Sequence, residues 1–129
     1  MEQTTAHLMN ILVVEDEHLI ALFIQDVLEG AGFGVELAAT AKEARQRFKM
    51  NGADFRAAII DIGLPDHPGD ELVQEFRESR PDLPIIIATG LAEEVFAARF
   101  AGDPNLQTLG KPYDGAALLS MLANVDVPE

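Results

Sequence analysis

The sequence contains no cysteine. The chain can therefore form no disulfide, no thiolate nucleophile and no cysteine-ligated metal site, which fits a reducing compartment. Its three histidines, His7, His18 and His67, lack the spacing of a metal site, and we expect them at the surface. We identify no N-terminal signal peptide, and no apolar run approaches the roughly 20 residues that span a bilayer. We therefore expect a cytoplasmic protein without a membrane span.

Basic residues are scarce. Nine lysines and arginines stand against 22 aspartates and glutamates, which gives a formal net charge of −13. Nucleic-acid binding requires basic surface that displaces counterions from phosphates, so we predict no nucleic-acid partner. The negative excess suits a divalent metal or a cationic partner surface, although most of it is expected to lie in solvent and to aid solubility.

The 129 residues fit one domain. We predict an N-terminal arm over 1–9, a domain over 10–125 and a C-terminal tail over 126–129. Within the domain, short apolar runs alternate five times with stretches that have apolar residues at helical spacing. The predicted strands cover 10–14, 33–39, 57–60, 85–88 and 106–110, and the helices after them cover about 19–28, 41–50, 70–79, 91–100 and 114–124. At least four strands look buried on both faces, which predicts an α/β fold with a parallel sheet between two layers of helices.

Reactive side chains follow four of the five predicted strands. Ligand sites in open α/β sheets lie beyond the carboxyl ends of the strands, so these side chains should meet at one edge. They are Glu15 and Asp16 after the first strand, Asp61 after the third, Thr89 after the fourth and Lys111 after the fifth.

The chemistry of this set favours a phosphoryl-transfer site. Clustered carboxylates repel each other unless a cation compensates, and all-oxygen ligands suit a hard ion such as Mg²⁺. Lys111 can bind a phosphate oxygen or a carboxylate, and the Thr89 hydroxyl can donate to a phosphate oxygen. Asp61 can then act as the nucleophile that forms an aspartyl phosphate.

Each of these residues has a plainer interpretation when it is taken alone. Asp16 could be the N-cap of the first helix, and Asp61 could be a turn residue that accepts a local backbone hydrogen bond. Thr89 could be the N-cap of the fourth helix, and Lys111 could be a solvated surface lysine. All four plain interpretations would have to coincide at four strand ends, so we favour the site.

Four motifs in this chain resemble those of response-regulator receiver domains. They are VVEDE at 13–17, IIDIGLP at 59–65, ATG at 88–90 and GKPY at 110–113, and the resemblance covers about 10–124. It implies a flavodoxin-like (βα)5 doubly wound sheet with strand order 2-1-3-4-5. It also implies that Asp61 accepts a phosphoryl group from a histidine kinase or a phosphotransfer protein. Such a domain is not a conventional enzyme but catalyses its own phosphorylation and dephosphorylation.

The resemblance also assigns roles to single residues. Asp16 would bind Mg²⁺ directly and Glu15 mainly through water, while Asp61 and the backbone carbonyl of Gly63 would complete the metal site. Thr89 matches the switch hydroxyl of the family. Lys111 matches its invariant lysine, and the bond from Lys111 to Pro112 would be cis.

Two positions depart from the usual pattern. Glu15 stands where aspartate is commoner, and Thr108 stands where many receivers carry a Tyr or Phe that swings inward on activation. The stretch IIIATGL is similar to an atypical subgroup with a Phe-Ala-Thr-Gly-type fourth strand, which also lacks that aromatic residue.

No output domain is evident, so we expect the protein to signal through changed contacts with a downstream protein target. The surface formed by the predicted helix over 91–100, the fifth strand and the last helix is our hypothesis for that contact. An alternative is a pseudo-receiver, a binding module that phosphorylation does not switch. A phosphotransferase or phosphatase with an aspartate nucleophile is less well supported, because Gly63 rather than a second aspartate lies two residues after Asp61.

Overall fold

A computed structural model of the chain describes residues 10–66, 68–90, 102–111 and 113–125. The predicted arm over 1–9, the helix over 91–100, the tail over 126–129, His67 and the geometry at Pro112 lie outside the described residues. The described strands are β1 (Asn10–Val14), β2 (Gly34–Ala38), β3 (Phe55–Asp61), β4 (Ile85–Thr89) and β5 (Leu106–Gly110). The described helices are α1 (His18–Gly30), α2 (Ala41–Asn51), a 3₁₀ turn (Gly52–Asp54), α3 (Gly69–Ser79) and α4 (Gly115–Val125).

The five strands form one sheet in the order β2-β1-β3-β4-β5, and all neighbouring strands are parallel. This confirms the flavodoxin-like fold and its strand order. Alternate residues of the central strands point to opposite faces of the sheet. One face packs against α2 and α3 through residues such as Ala44 and Phe76, and the other packs against α1 and α4 through residues such as Ile24 and Leu118.

Strand β3 is longer than the pattern predicts. It begins at Phe55 rather than Ala57, because Phe55 is buried and lies near the ring of Phe48, which stacks on Phe76. It ends on Asp61 itself, whose Cα pairs with Ala88 of β4. The carboxylate is therefore the last strand residue and not the first residue of the loop.

The buried face of helix α1 includes fewer residues than the apolar residues at helical spacing in its sequence predict. Leu19 is 80% exposed and Phe23 is 41% exposed, whereas Ile24 and Leu28 are fully buried. At about 100° per residue, Ile24 and Leu28 lie near the centre of the buried face, and Leu19 and Phe23 lie outside it. The apolar stripe in the sequence of this helix is therefore wider than the face that is buried.

The ends of the helices follow local signals. Gly32 has φ +98, and the hydrogen bonds from Gly32 N to Glu29 O and from Phe33 N to Leu28 O close α1 with a Schellman motif. At α2, the N-cap residue is Thr40, whose hydroxyl accepts from Glu43 N. The Glu43 carboxylate accepts from Ala39 N, one residue before the N-cap, so the capping box is offset by one position. Of the helices described, none has both the length and the apolar character needed to cross a bilayer.

Candidate functional site

The carboxyl ends of β1 and β3 bring three carboxylates together. The two strands are parallel neighbours, so Glu15 and Asp16, which follow β1, lie beside Asp61 at the end of β3. One oxygen from each of the three side chains lies within 4.8 Å of the others. Asp16 is exposed while Glu15 and Asp61 are buried, so the cluster has an open side and a closed side.

Backbone hydrogen bonds turn Glu15 inward. Its N–H donates to Ala38 O of β2 at 2.9 Å, and its Oε2 accepts from Glu17 N at 3.1 Å. Glu17, and not Asp16, is the N-cap residue of α1, and its side chain makes no capping hydrogen bond. The plain interpretation of Asp16 as the N-cap is therefore wrong, and its carboxylate is left on the open side of the cluster.

Asp61 combines a local turn contact with a long-range ion pair. Its Oδ1 accepts from Gly63 N at 3.2 Å, which is the turn hydrogen bond that an aspartate makes two residues ahead. The same oxygen lies 3.2 Å from Lys111 Nζ. The turn interpretation of Asp61 therefore holds, and the turn fixes Gly63 beside a carboxylate that also pairs with Lys111.

Lys111 connects the end of β5 to both buried carboxylates. Its N–H donates to Thr89 O at 2.8 Å, which places it directly beyond the two last strands. Its Nζ lies 3.2 Å from Asp61 Oδ1 and 3.4 Å from Glu15 Oε1, and the side chain is 24% exposed. The interpretation of Lys111 as a solvated surface lysine is therefore wrong.

The electrostatics of the cluster are only partly balanced by Lys111. Burial, and then the charge of Asp61, raise the pKa of Glu15 to about 7 against the opposing effects of Glu17 N–H and Lys111. Burial alone would lower the pKa of Lys111, but the carboxylates of Asp61 and Glu15 outweigh it and raise that pKa. A divalent cation would relieve the remaining repulsion, and three carboxylates with oxygens this close are the kind of ligand set that Mg²⁺ accepts.

Thr89 is the last residue of β4 and is fully buried next to this edge. It pairs with Gly110 of β5, and Thr108 pairs with Ile87 two residues earlier. Since side chains alternate along a strand, Thr89 and Thr108 lie on the same face of the sheet. The predicted switch hydroxyl and the position that usually carries an aromatic residue are therefore neighbours on adjoining strands.

Tyr113 is a further member of this region that our sequence reasoning did not place in the site. Within the part of the chain that the structure describes, its buried hydroxyl has no hydrogen-bond partner. Burial and the charges of Glu15 and Asp61 raise its pKa to about 12. A pocket of about 390 Å³ beside it is lined by Ile20, Phe23, Lys111 and Tyr113. Tyr113 could have been assigned to the site from the sequence, because it lies two residues after Lys111.

Comparison with known proteins agrees with this geometry. The family described as "Response regulator receiver domain" matches residues 11–123. The sensor kinase CckA of Brucella abortus is 30% identical over 103 residues, which cover 80% of this chain and 11% of that kinase, so the chain spans only a small part of its length.

Two solved structures extend the comparison. A CheY-like response regulator receiver domain protein of Methanospirillum hungatei is 32% identical, with a TM-score of 0.78 over 88% of this chain and 90% of that one. The chemotaxis protein CheY4 of Vibrio cholerae is 27% identical, with a TM-score of 0.81 over 90% and 97% of the two chains. The chain therefore belongs to the family of response regulator receiver domains, the signal-receiving modules of two-component systems.

Proposed function

We propose that Asp61 accepts a phosphoryl group from the phosphohistidine of a histidine kinase or a phosphotransfer protein, in a reaction that depends on Mg²⁺. The observation that carries the proposal is the position of the Asp61 carboxylate, which lies 3.2 Å from Lys111 Nζ and within 4.8 Å of the acidic pair. One nucleophile, one fixed cation and a ligand set for a second cation thus share one edge of the sheet.

The hydrogen bonds of Asp61 indicate which of its oxygens attacks. Among the described residues, both Gly63 N and Lys111 Nζ contact Oδ1. Oδ2 is then the oxygen that bonds to phosphorus while the bond from phosphorus to the histidine nitrogen breaks and the imidazole leaves. The product is an acyl phosphate on Asp61.

The other side chains stabilise charge on the transferring group. Lys111 already touches Asp61 Oδ1, and a small shift of Nζ would bring it to a phosphoryl oxygen. The Thr89 hydroxyl would donate to another oxygen. When bound by Glu15, Asp16, Asp61 and the carbonyl of Gly63, Mg²⁺ would supply the positive charge that phosphoryl transfer requires.

The phosphoryl donor has to approach the open side of the site, next to α1. Leu19, Leu22 and Phe23 are exposed apolar residues on this helix, and Phe23 lines the pocket that also reaches Lys111. Exposed apolar residues grouped beside a site are typical of protein contacts. We therefore assign this part of α1 to the phosphoryl-donating partner.

The phosphorylated domain would signal through changed contacts with a downstream protein target, and we expect these events in the cytoplasm. The predicted output surface includes the segment over 91–100, outside the described residues. Of its described members, Tyr113 lies beside the carboxylate cluster, and its pKa responds to the charges of Glu15 and Asp61. That link supports the region after β5 as part of the output.

Intact mass measurement with acetyl phosphate tests the proposal without a protein partner. We expect the wild-type chain to gain one phosphoryl group in the presence of Mg²⁺ and none in the presence of EDTA. The Asp61→Asn variant should gain none under either condition. Gain of a phosphoryl group by Asp61→Asn would reject the assignment, and a wild-type chain that gains none would favour the pseudo-receiver alternative.

A further inference from the structure

The segment between Asp61 and α3 is held in place by backbone hydrogen bonds and by a buried side chain. Ile62 N donates to Ala88 O at 3.1 Å, and Ile62 O accepts from Gly69 N at 3.0 Å. The side chain of Leu64 is buried in the core cluster that includes α2 and α3. The hydrogen bond between Gly69 N and Ile62 O therefore closes a short loop, and Gly63 lies near its start.

The tip of this loop reaches a different helix through Asp66. Asp66 Oδ1 accepts from Ala41 N at 2.8 Å, and Asp66 Oδ2 accepts from Lys42 N at 3.1 Å. These partners are 25 and 24 residues away in the sequence and open α2. Both oxygens of one carboxylate are thus used on the first turn of a helix to which Asp66 does not belong.

The local cap of α2 does not need this help. Thr40, the N-cap, already binds Glu43 N at 3.1 Å, and exposed helix ends commonly leave their first N–H groups to water. Asp66 is exposed, and the hydrogen bond from Ala41, followed by that from Lys42, lowers its pKa, so it is charged where the helix dipole favours an anion. The contact therefore fixes the loop as much as it caps the helix.

We propose that Asp66 is a positioning residue, which fastens the loop that carries Gly63 to the first turn of α2 and so holds the Gly63 backbone in place beside Asp61. The inference deepens the proposed function, because the Gly63 carbonyl is the proposed backbone ligand of Mg²⁺. Among the described residues, the Asp66 carboxylate binds Ala41 N and Lys42 N, so Asp66 acts on the site through the three-residue connection from Gly63.

The same contact gives the site a connection to the surface of α2 and α3. Arg45, one turn after Ala41, forms a two-point ion pair with Glu75 of α3, at 2.7 Å and 2.9 Å. The charges of Arg45 and Asp66 also stabilise each other. A displacement of the loop on metal binding should therefore change the amide signals of Ala41 and Lys42.

A titration of the ¹⁵N-labelled full chain with Mg²⁺ alone, followed by NMR, tests the inference. In the wild type, the amide signals of Ala41 and Lys42 should move with the same midpoint as that of Gly63. In Asp66→Ala, the Gly63 midpoint should rise several-fold, and the Ala41 and Lys42 signals should no longer respond. Without metal, those two amides should also exchange with solvent faster than in the wild type.

Two control variants distinguish the loss of the contact between the loop and α2 from the loss of a helix cap and from the loss of a negative charge. Thr40→Ala removes the other cap of the same helix and leaves the loop untouched, so its Gly63 midpoint should equal that of the wild type. Asp66→Asn removes the same charge as Asp66→Ala and keeps one acceptor oxygen. Its Gly63 midpoint should therefore lie between the midpoints of the wild type and of Asp66→Ala. A shift shared equally by Asp66→Ala and Thr40→Ala, or by Asp66→Ala and Asp66→Asn, would overturn the inference.

The result also distinguishes the inference from the function on which it rests. If Gly63 of the wild type does not respond to Mg²⁺, the proposed metal site fails and the inference fails with it. If the wild type responds and Asp66→Ala matches it in midpoint and in the response of Ala41, only the inference is overturned.

Discussion

Glu15 is the residue at which burial and charge conflict most directly. Its side chain is 2% exposed, a second carboxylate lies beside it, and the single lysine of the cluster is shared between the two. These conditions raise its pKa to about 7. A metal ion would favour the ionised form, so the acidity of Glu15 links the pH, the metal and the stability of the fold.

Glu15→Gln should therefore stabilise the metal-free protein in a pH-dependent way. The pKa of Glu15 is raised in the folded protein, from the usual 4.5 to about 7, so ionisation of Glu15 opposes folding. This cost is absent below the unfolded pKa and reaches its full value above the folded pKa. We expect the variant to gain about 1–3 kcal/mol in the free energy of unfolding near pH 8 and almost nothing near pH 4.

Urea unfolding across this pH range, in EDTA, measures the effect. The same series in Mg²⁺ is the control, because bound metal should stabilise the wild type and remove most of the advantage of the variant. An advantage of equal size at all pH values would show that Glu15 does not titrate as described.

Lys111→Met should leave the two buried carboxylates without their cation. The lysine is partly exposed, so we expect a loss of about 1–2 kcal/mol in the free energy of unfolding without metal, less than for a fully buried pair. Mg²⁺ should restore part of this loss, which a thermal melt with and without the ion would show. Lys42→Met removes the same charge from an exposed side chain and should change stability by less than about 0.5 kcal/mol. Equal losses in the two variants would argue against the ion pair.

The positions of the proposed site residues could be predicted from the sequence because each is the last residue of a strand or follows a strand directly. Glu15, Asp16, Asp61, Thr89 and Lys111 all lie at the predicted edge. The contacts that use distant partners were not predictable in this way. Asp66 binds amides 24 and 25 residues away, and no local pattern in the sequence encodes that meeting.

At the scale of elements, the start of α3 constrains the end of β3. A Cβ atom at Gly69 would overlap the carbonyl oxygen of Asp61 and the backbone of Ile62. Glycine at this position therefore lets the first turn of α3 lie directly on the strand end that carries the acceptor. The sequence shows this glycine, but its reason lies in a contact that only the fold reveals.

Gly69→Ala should push α3 away from the strand end. We expect a loss of about 1–3 kcal/mol in the free energy of unfolding, together with slower phosphorylation by acetyl phosphate. Gly30→Ala is a matched control, because no atom lies within 4 Å of a Cβ atom there. It should leave phosphorylation unchanged and stabilise α1 by up to about 1 kcal/mol. If Gly69→Ala had the same free energy of unfolding and the same phosphorylation rate as the wild type, this would contradict the contact between Gly69 and the end of β3.

The exposed residues of α1 lead to a prediction about the partner. Leu19→Ser combined with Phe23→Ser should leave phosphorylation by acetyl phosphate unchanged, because both side chains are exposed and apolar and can neither bind the metal nor donate to a phosphoryl oxygen. Transfer from a phosphohistidine protein that modifies the wild type should fall by about tenfold, as expected when an apolar contact residue is lost. Comparison of the two rates in the same variant is the measurement, and an equal fall in both would place the defect in the site.

Some features of the strands and helices could be predicted from the sequence, and others could not. The strands and the capping of α1 and α2 follow from local chemistry, namely apolar runs, Gly32 and Thr40. Which apolar residues of α1 are buried could not be predicted in this way. Leu19 and Phe23 have the same apolar character as Ile24, and the orientation of the helix decides which of them reaches the core.

At the scale of the whole molecule, alternating buried strands and helices require a parallel sheet, and this much follows from physical reasoning. The order β2-β1-β3-β4-β5 does not, since periodicity along the chain carries no information on which strands become neighbours. The order came from the resemblance of four motifs to a known family. Yet it is this order that sets β1 beside β3 and so brings Glu15 and Asp16 to Asp61.

The central claim is that Asp61 is the residue that becomes phosphorylated when Mg²⁺ is present. Borohydride reduces an aspartyl phosphate to homoserine, so it marks the modified residue permanently. After incubation with acetyl phosphate and Mg²⁺, reduction and peptide mass mapping, we predict homoserine at position 61 and at no other aspartate, and none when EDTA replaces Mg²⁺. Homoserine at Asp16 or another aspartate, or an unmodified position 61, would contradict the account.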